Sequence, residues 1–232
     1  TDAQIAAPAV VLNCDGLDTV TEIFINVQRV GDTDNMFRRY RFDVKAFVKS
    51  GPNLVRIDFQ PARREIARRF DAYPEKETHP VGHDINPWFP RNREFLRKCQ
   101  CHAGWDWGPC FMTQGIWRDI YLECRQGPRV LDFTHQQQTT AEKAVVEFCA
   151  FIDSPGEMSA NVTFSLDRQN VAQNVELKPG ENRVTGTITV DNPELWWPNG
   201  LGERKLYQAD VTVTAAGEPD KAVRKIGLRH VE

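Results

Sequence analysis

The chain has 232 residues, more than one typical domain and fewer than two large ones, so two sandwich-sized domains are the expected division. With 41% hydrophobic, 26% charged and 10% aromatic residues it can bury a real core, which excludes global disorder. The formal charge of -3 comes from 29 basic and 32 acidic residues mixed along the chain, so there is no broad field to hold nucleic acid or an anionic membrane.

In chain order, "TDAQIAAPAVVLNC" reads as entering a strand almost at once, with no helix or cap before it, as though the chain began mid-structure. The dominant period after it is two, the mark of strands with one buried face. In "TEIFINV" Ile23, Ile25 and Val27 alternate with Glu22, Phe24 and Asn26; in "NLVRIDFQ" Val55, Ile57 and Phe59 alternate with Arg56 and Asp58. Asp34 and Asn35 suit a polar loop, and "KSGPN" marks a reversal. The stretch "PARREIARRFDAY", residues 61 to 73, predicts the one helix, with Pro61 at its start and Ile66, Arg69, Phe70 and Tyr73 on one face. Beyond it, Ile116, Ile120 and Leu122 form a run read as inward. Arg118 interrupts that run and is expected to pair with a carboxylate or to reach a domain interface.

A boundary falls near "CRQGPRV", residues 124 to 130. Residues 1 to 126 form one expected domain and residues 127 to 227 a second, with 228 to 232 beginning a linker. The second has short strands about ten residues apart, as in an immunoglobulin-like sandwich. Its strands include "NVTFSLD", with Val162, Phe164 and Leu166 inward, and "RVTGTITV", with Val184, Ile188 and Val190 inward; "DSPGE", "KPGEN" and "AAGEPD" supply the turns. Trp196 and Trp197 read as core and turn of this domain. The fold class is therefore all-β, two antiparallel sandwiches.

Of the six cysteines, Cys14, Cys124 and Cys149 sit in strand-like apolar runs, and mostly free thiols are expected. No apolar run approaches the roughly 20 residues of a membrane span, and the N-terminus has no signal-peptide pattern. His79, His83, Cys99, Cys101 and His102 invite a metal reading. The C-x-C spacing, and Pro74 and Pro80 around His79, argue against it, so no metal or other cofactor is expected.

The stretch "CHAGWDWGPC", residues 101 to 110, sets Asp106 between Trp105 and Trp107, with glycines on both sides. On these residues alone two readings stand. In one, the indoles are core and Asp106 caps a turn. In the other, an indole packs on the C–H face of a pyranose while the carboxylate accepts bonds from its hydroxyls.

Five segments, "GLDTVTEIFIN", "VGDTDNMFRRYRFDV", "LRKCQCHAGWDWGPCFMTQGIWRDI", "LWWPNGLGERKLY" and "KIGLRHVE", resemble in this order the non-catalytic front part of β-mannosidases, in the glycoside hydrolase clan of β-galactosidases and β-glucuronidases. "GWDWGP" followed by "GIWRDI" is specific to the mannosidase branch; "WWPNG" and "IGLR" mark the wider family. The resemblance implies a jelly-roll sugar-binding domain, an immunoglobulin-like sandwich and then a catalytic (β/α)8 barrel of about 250 residues, before which this chain stops. It implies further strands ahead of "VLNCDGLDT", so that the jelly roll lacks part of a sheet. The family's two catalytic glutamates, roughly 5 to 5.5 Å apart in a retaining mechanism, belong to that barrel, so no catalytic residue is assigned in this chain.

Carried over residue by residue, Trp105 supplies an apolar wall and Asp106 accepts hydroxyl hydrogen bonds from a terminal β-mannoside. Trp107 packs inward as support. Arg118, from its own place in the apolar run and not from the resemblance, is a second supporting residue. The chain's partners are then that sugar and its own barrel. Two departures are visible: Ala103 stands where an aromatic is usual, and Val27 stands where the hairpin glycine of "LNG" is usual. A free-standing carbohydrate-binding module and a purely structural scaffold are the competing classes.

Overall fold

The computed structural model describes residues 1–75, 92–105, 107–215 and 219–230. The chain divides into two compact units, Thr1–Cys124 and Arg125–Glu232.

The first unit opens with a one-turn helix α1 (Asp2–Ile5), where no helix or cap was expected. The reason is local: Thr1 and Gln4 form a capping box, in which the Thr1 hydroxyl accepts from the Gln4 amide and the Gln4 side chain reaches back to the cap. Strands β1 (Ala9–Cys14), β2 (Leu17–Asp18), β3 (Thr21–Ile25), β4 (Gln28–Thr33), β5 (Tyr40–Asp43) and β6 (Val55–Phe59) follow. Helix α2 (Ala62–Asp71), strand β7 (Gly115–Ile116) and strand β8 (Ile120–Arg125) complete the set. Their sheets run β5-β1-β8, β4-β3-β6 and β2-β7.

Val10, Leu12, Cys14, Leu17, Ile23, Ile25 and Val44 are buried between these sheets. The Cys14 thiol is pushed up to about 12, chiefly by burial and also by the neighbouring Asp15 carboxylate. Alternation correctly picks Ile23 and Ile25 but not Val27, which is 79% exposed at the β3–β4 turn. Nor is the run at β7 and β8 covered. Ile116 and Leu122 are exposed, and with Ile120, Leu12, Val55, Ile57 and Phe59 they line an open apolar groove of about 450 Å³. Period two identifies residues that share a face; it does not say that another layer covers that face.

Helix α2 begins after Pro61, as expected, and buries Ile66. Its Phe70 ring, and the Tyr73 ring just past its end, meet Phe95 edge-on at 5.6 and 5.3 Å, joining the helix to a 3-10 turn at Arg93–Phe95. Buried Glu65 accepts from Arg68 at 2.6 Å and Arg69 at 2.7 Å. The Arg68 hydrogen bonds, helped by Arg69 and opposed by burial, hold the Glu65 carboxyl down at about 2.

The second unit is an immunoglobulin-like sandwich of seven strands: β9 (Arg129–Thr139), β10 (Lys143–Ser154), β11 (Met158–Leu166), β12 (Gln169–Leu177), β13 (Gly180–Asp191), β14 (Tyr207–Thr214) and β15 (Asp220–Ile226). One sheet is ordered β13-β10-β9, the other β12-β11-β14-β15, and every pairing among them is antiparallel. Phe148 meets two other rings in the middle, tilted against Phe133 and stacked on Phe164 with centroids 5.9 Å apart. Gly186 interrupts the apolar alternation of β13 because a Cβ there would lie 2.4 Å from the Phe164 ring. Trp196 is half-buried under the Arg229 guanidinium and Trp197 is 46% exposed, so this pair borders the core rather than filling it.

Candidate functional site

The loop from Lys98 to Thr113 carries the "GWDWG" stretch, and it is built from its two feet upward. At the first foot, the Met36 amide donates to the Arg97 carbonyl at 3.0 Å and the Cys99 amide reaches Met36 Sδ at 2.9 Å. The Trp117 indole N–H donates to the Met36 carbonyl at 3.1 Å, bringing the chain beyond the second foot to the same point. A 3-10 turn at Gln100–Ala103 follows the first foot. The Gln100 side-chain Nε2 donates back to the Lys98 carbonyl at 3.2 Å, and Arg93 Nη1 donates to the Gly104 carbonyl at 2.9 Å.

Gly104 then turns the chain at φ 103°, ψ 154°, a conformation open essentially to glycine alone. A tight reversal comes next, closed by the Gly108 amide donating to the Trp105 carbonyl at 3.1 Å. Trp105 and Gly108 are the ends of that turn, and Trp107 holds its third position.

Trp105 is 54% exposed. Trp107 is 91% exposed, which corrects the expectation that it packs inward: a side chain at the third position of a four-residue turn has no layer above it. Asp106 lies outside the described residues, as do His79 and His83. Arg118 is exposed and its guanidinium stacks over the Trp117 ring at 4.3 Å; it forms no ion pair among the described residues. Ala103 is buried beneath the loop.

Residues that sequence reasoning did not single out hold the feet together. Lys98 and Asp18 are each 4% exposed, and the Lys98 ammonium donates to Asp18 Oδ2 and to the Thr113 carbonyl. The other Asp18 oxygen accepts from the Thr19 hydroxyl. His102 Nδ1 points toward Asp18 Oδ2 from 3.8 Å, beyond hydrogen-bond range, and is buried with no hydrogen-bond partner among the described residues. Nothing in "GLDT" or "LRKCQC" signals this pairing, because the two segments are eighty residues apart. The described residues contain no cluster of three metal-ligating side chains.

Residues 1–118 match the family description "Glycosyl hydrolase 2 galactose-binding domain-like", and residues 129–229 match "Glycosyl hydrolases family 2". The chain belongs to glycoside hydrolase family 2. Its relatives within that family include Beta-mannosidase A of Neosartorya fischeri, 35% identical over 93% of this chain and 25% of the relative. Beta-mannosidase B of Aspergillus terreus is 35% identical over 98% of this chain and 27% of the relative. The crystal structure of a β-D-mannosidase from Dictyoglomus thermophilum superposes with a TM-score of 0.81 at 28% identity, covering all of this chain and 28% of the other. An exo-chitosanase from Amycolatopsis orientalis shares the fold, with a TM-score of 0.65 at 22% identity over 94% of this chain and 23% of the other. The chain thus spans about a quarter of the length of the curated relatives it matches. Within family 2 it represents the non-catalytic region, a jelly-roll unit followed by an immunoglobulin-like one.

Proposed function

We propose that this chain is the non-catalytic part of a retaining β-mannosidase that removes terminal β-linked mannose. In this reading the catalytic barrel is the chain's partner, and Trp105 and Asp106 contact the sugar. The observation that carries the reading is the 35% identity to two proteins named β-mannosidases, over 93% and 98% of the chain. The exposed Trp105 indole supports it, since a half-exposed indole beside a turn tip offers an apolar face to the C–H side of a pyranose. Asp106, next to it in sequence, accepts hydroxyl hydrogen bonds, which are about twice as strong to a carboxylate as to a neutral acceptor.

General acid and nucleophile supply most of the rate in glycoside hydrolysis, and in this reading both glutamates are carried by the barrel. The isolated chain should therefore release no product from an aryl β-mannoside. Part of a pocket buries only part of a sugar and still loses association entropy, so mannose should bind in the millimolar range or more weakly, roughly -4 kcal/mol at most. Turnover by the purified chain would contradict the division of labour, and micromolar affinity by calorimetry would favour a free-standing carbohydrate-binding module.

A further inference from the structure

We propose that Lys98 is a positioning residue for the aromatic loop, one ammonium group that fastens both ends of the loop to strand β2. The proposal rests on the sugar-contact reading only for the purpose of the loop, since the fastening itself is a matter of geometry within the first unit. Lys98 begins the loop and Thr113 ends it, fifteen residues apart, and the same Nζ donates to the Thr113 carbonyl and to Asp18 of β2. Strand β2 in turn pairs with Gly115–Ile116, immediately after the second foot. Closing a loop at its base removes most of the freedom of its ends, while the tip stays available to a ligand.

Stability alone does not account for a lysine here. A buried ion pair loses in desolvation much of what it gains in attraction, and an apolar pair of similar volume is often as stable. An apolar side chain, however, cannot hold a carbonyl from one segment and a carboxylate from another at once. An ammonium with three donors can, and its carboxylate is satisfied on its far side by the Thr19 hydroxyl. Trp105 and Trp107 need such support because they are exposed and no covering layer fixes them.

The test compares wild type, Lys98→Met and the double variant Asp18→Leu/Lys98→Met by hydrogen–deuterium exchange of peptides covering residues 99–113, alongside Tm. The single variant leaves the buried Asp18 carboxylate without its cation, so Tm falls and the loop exchanges faster. The double variant replaces the ion pair with an apolar one, so Tm returns to near wild type while the loop still exchanges about tenfold faster and the peptides of β10 and β11 are unchanged. Wild-type exchange in the double variant overturns the proposal, and so does a wild-type loop that exchanges at the rate of unstructured chain. Should neither variant fold, the pair is a stability element and the proposal fails. A loosened loop with unchanged kcat/KM for an aryl β-mannoside, in the longer protein that includes the barrel, would instead overturn the sugar-contact reading and leave the fastening intact.

Discussion

Val27 occupies the second corner of the β3–β4 hairpin at φ 69°, after Asn26 at φ 48°. Two left-handed residues joining Ile25 to Gln28 make the tight turn that suits the twist of a hairpin, and the second corner strongly prefers glycine. Asn26 suits its corner, because its side chain donates to the Phe47 carbonyl at 2.9 Å and accepts from the Leu54 amide at 3.1 Å. A β-branched residue at φ > 0 costs about 1–2 kcal/mol, partly offset by the unfolded-state freedom that a glycine would add. Val27→Gly should raise stability by about 1 kcal/mol, read as a Tm increase of a few degrees; an unchanged or lower Tm would contradict the turn assignment. The residue scale is also where sequence reading was weakest. Val27 and Trp107 look like inward positions by alternation and by type, yet both stand at turn tips, where neither alternation nor hydrophobicity decides exposure.

Among elements, two turns share a pattern that can be read directly from the sequence. In "KSGPN" the Asn53 side chain donates to the Lys49 carbonyl at 2.8 Å and the Gly51 carbonyl at 3.0 Å, and accepts from the Lys49 amide at 2.9 Å. In "KPGEN" Asn182 does the same with Lys178 and Gly180, at 2.7, 2.9 and 2.8 Å. The glycine of each turn is left-handed, φ 83° at Gly51 and φ 86° at Gly180. A five-residue turn knotted by one amide side chain hands three exposed backbone groups back to water when that side chain is removed, and the turn loses what held it closed. Asn53→Ala and Asn182→Ala should each cost about 1–3 kcal/mol in denaturant titrations, while Asp at either site, which keeps the acceptor and loses the donors, should cost less than Ala. Equal stability of Ala and wild type would show the knots to be incidental. Strands and turns were legible because period two and turn chemistry are local signals. The single turn of α1 is too short to show a period, and the exposure of Ile116 and Leu122 depends on which strands lie opposite, which no local pattern encodes.

At the scale of the whole molecule, the chain is two β-sandwich units that together match a quarter of each curated relative, and its first unit has an open apolar groove beside β6 and β8. The aromatic loop rises from that unit on feet joined by Lys98 and Asp18. Its "GWDWG" run was the part of the site most visible in the sequence, because glycine, indole and carboxylate together suit neither a regular strand nor a helix. The fastening beneath it was invisible, since a lysine and an aspartate far apart in sequence carry no mark of their partnership. The central claim is that Asp106 binds sugar, and it is tested most directly by kcat/KM and Tm of Asp106→Ala in the longer protein, with an aryl β-mannoside as substrate. A charge-assisted bond lost from a water-poor pocket costs roughly 2–4 kcal/mol, so kcat/KM should fall about 30-fold to 1000-fold with Tm nearly unchanged. A Tm lowered by several degrees with kcat/KM within about threefold of wild type would make Asp106 a turn cap and contradict the account.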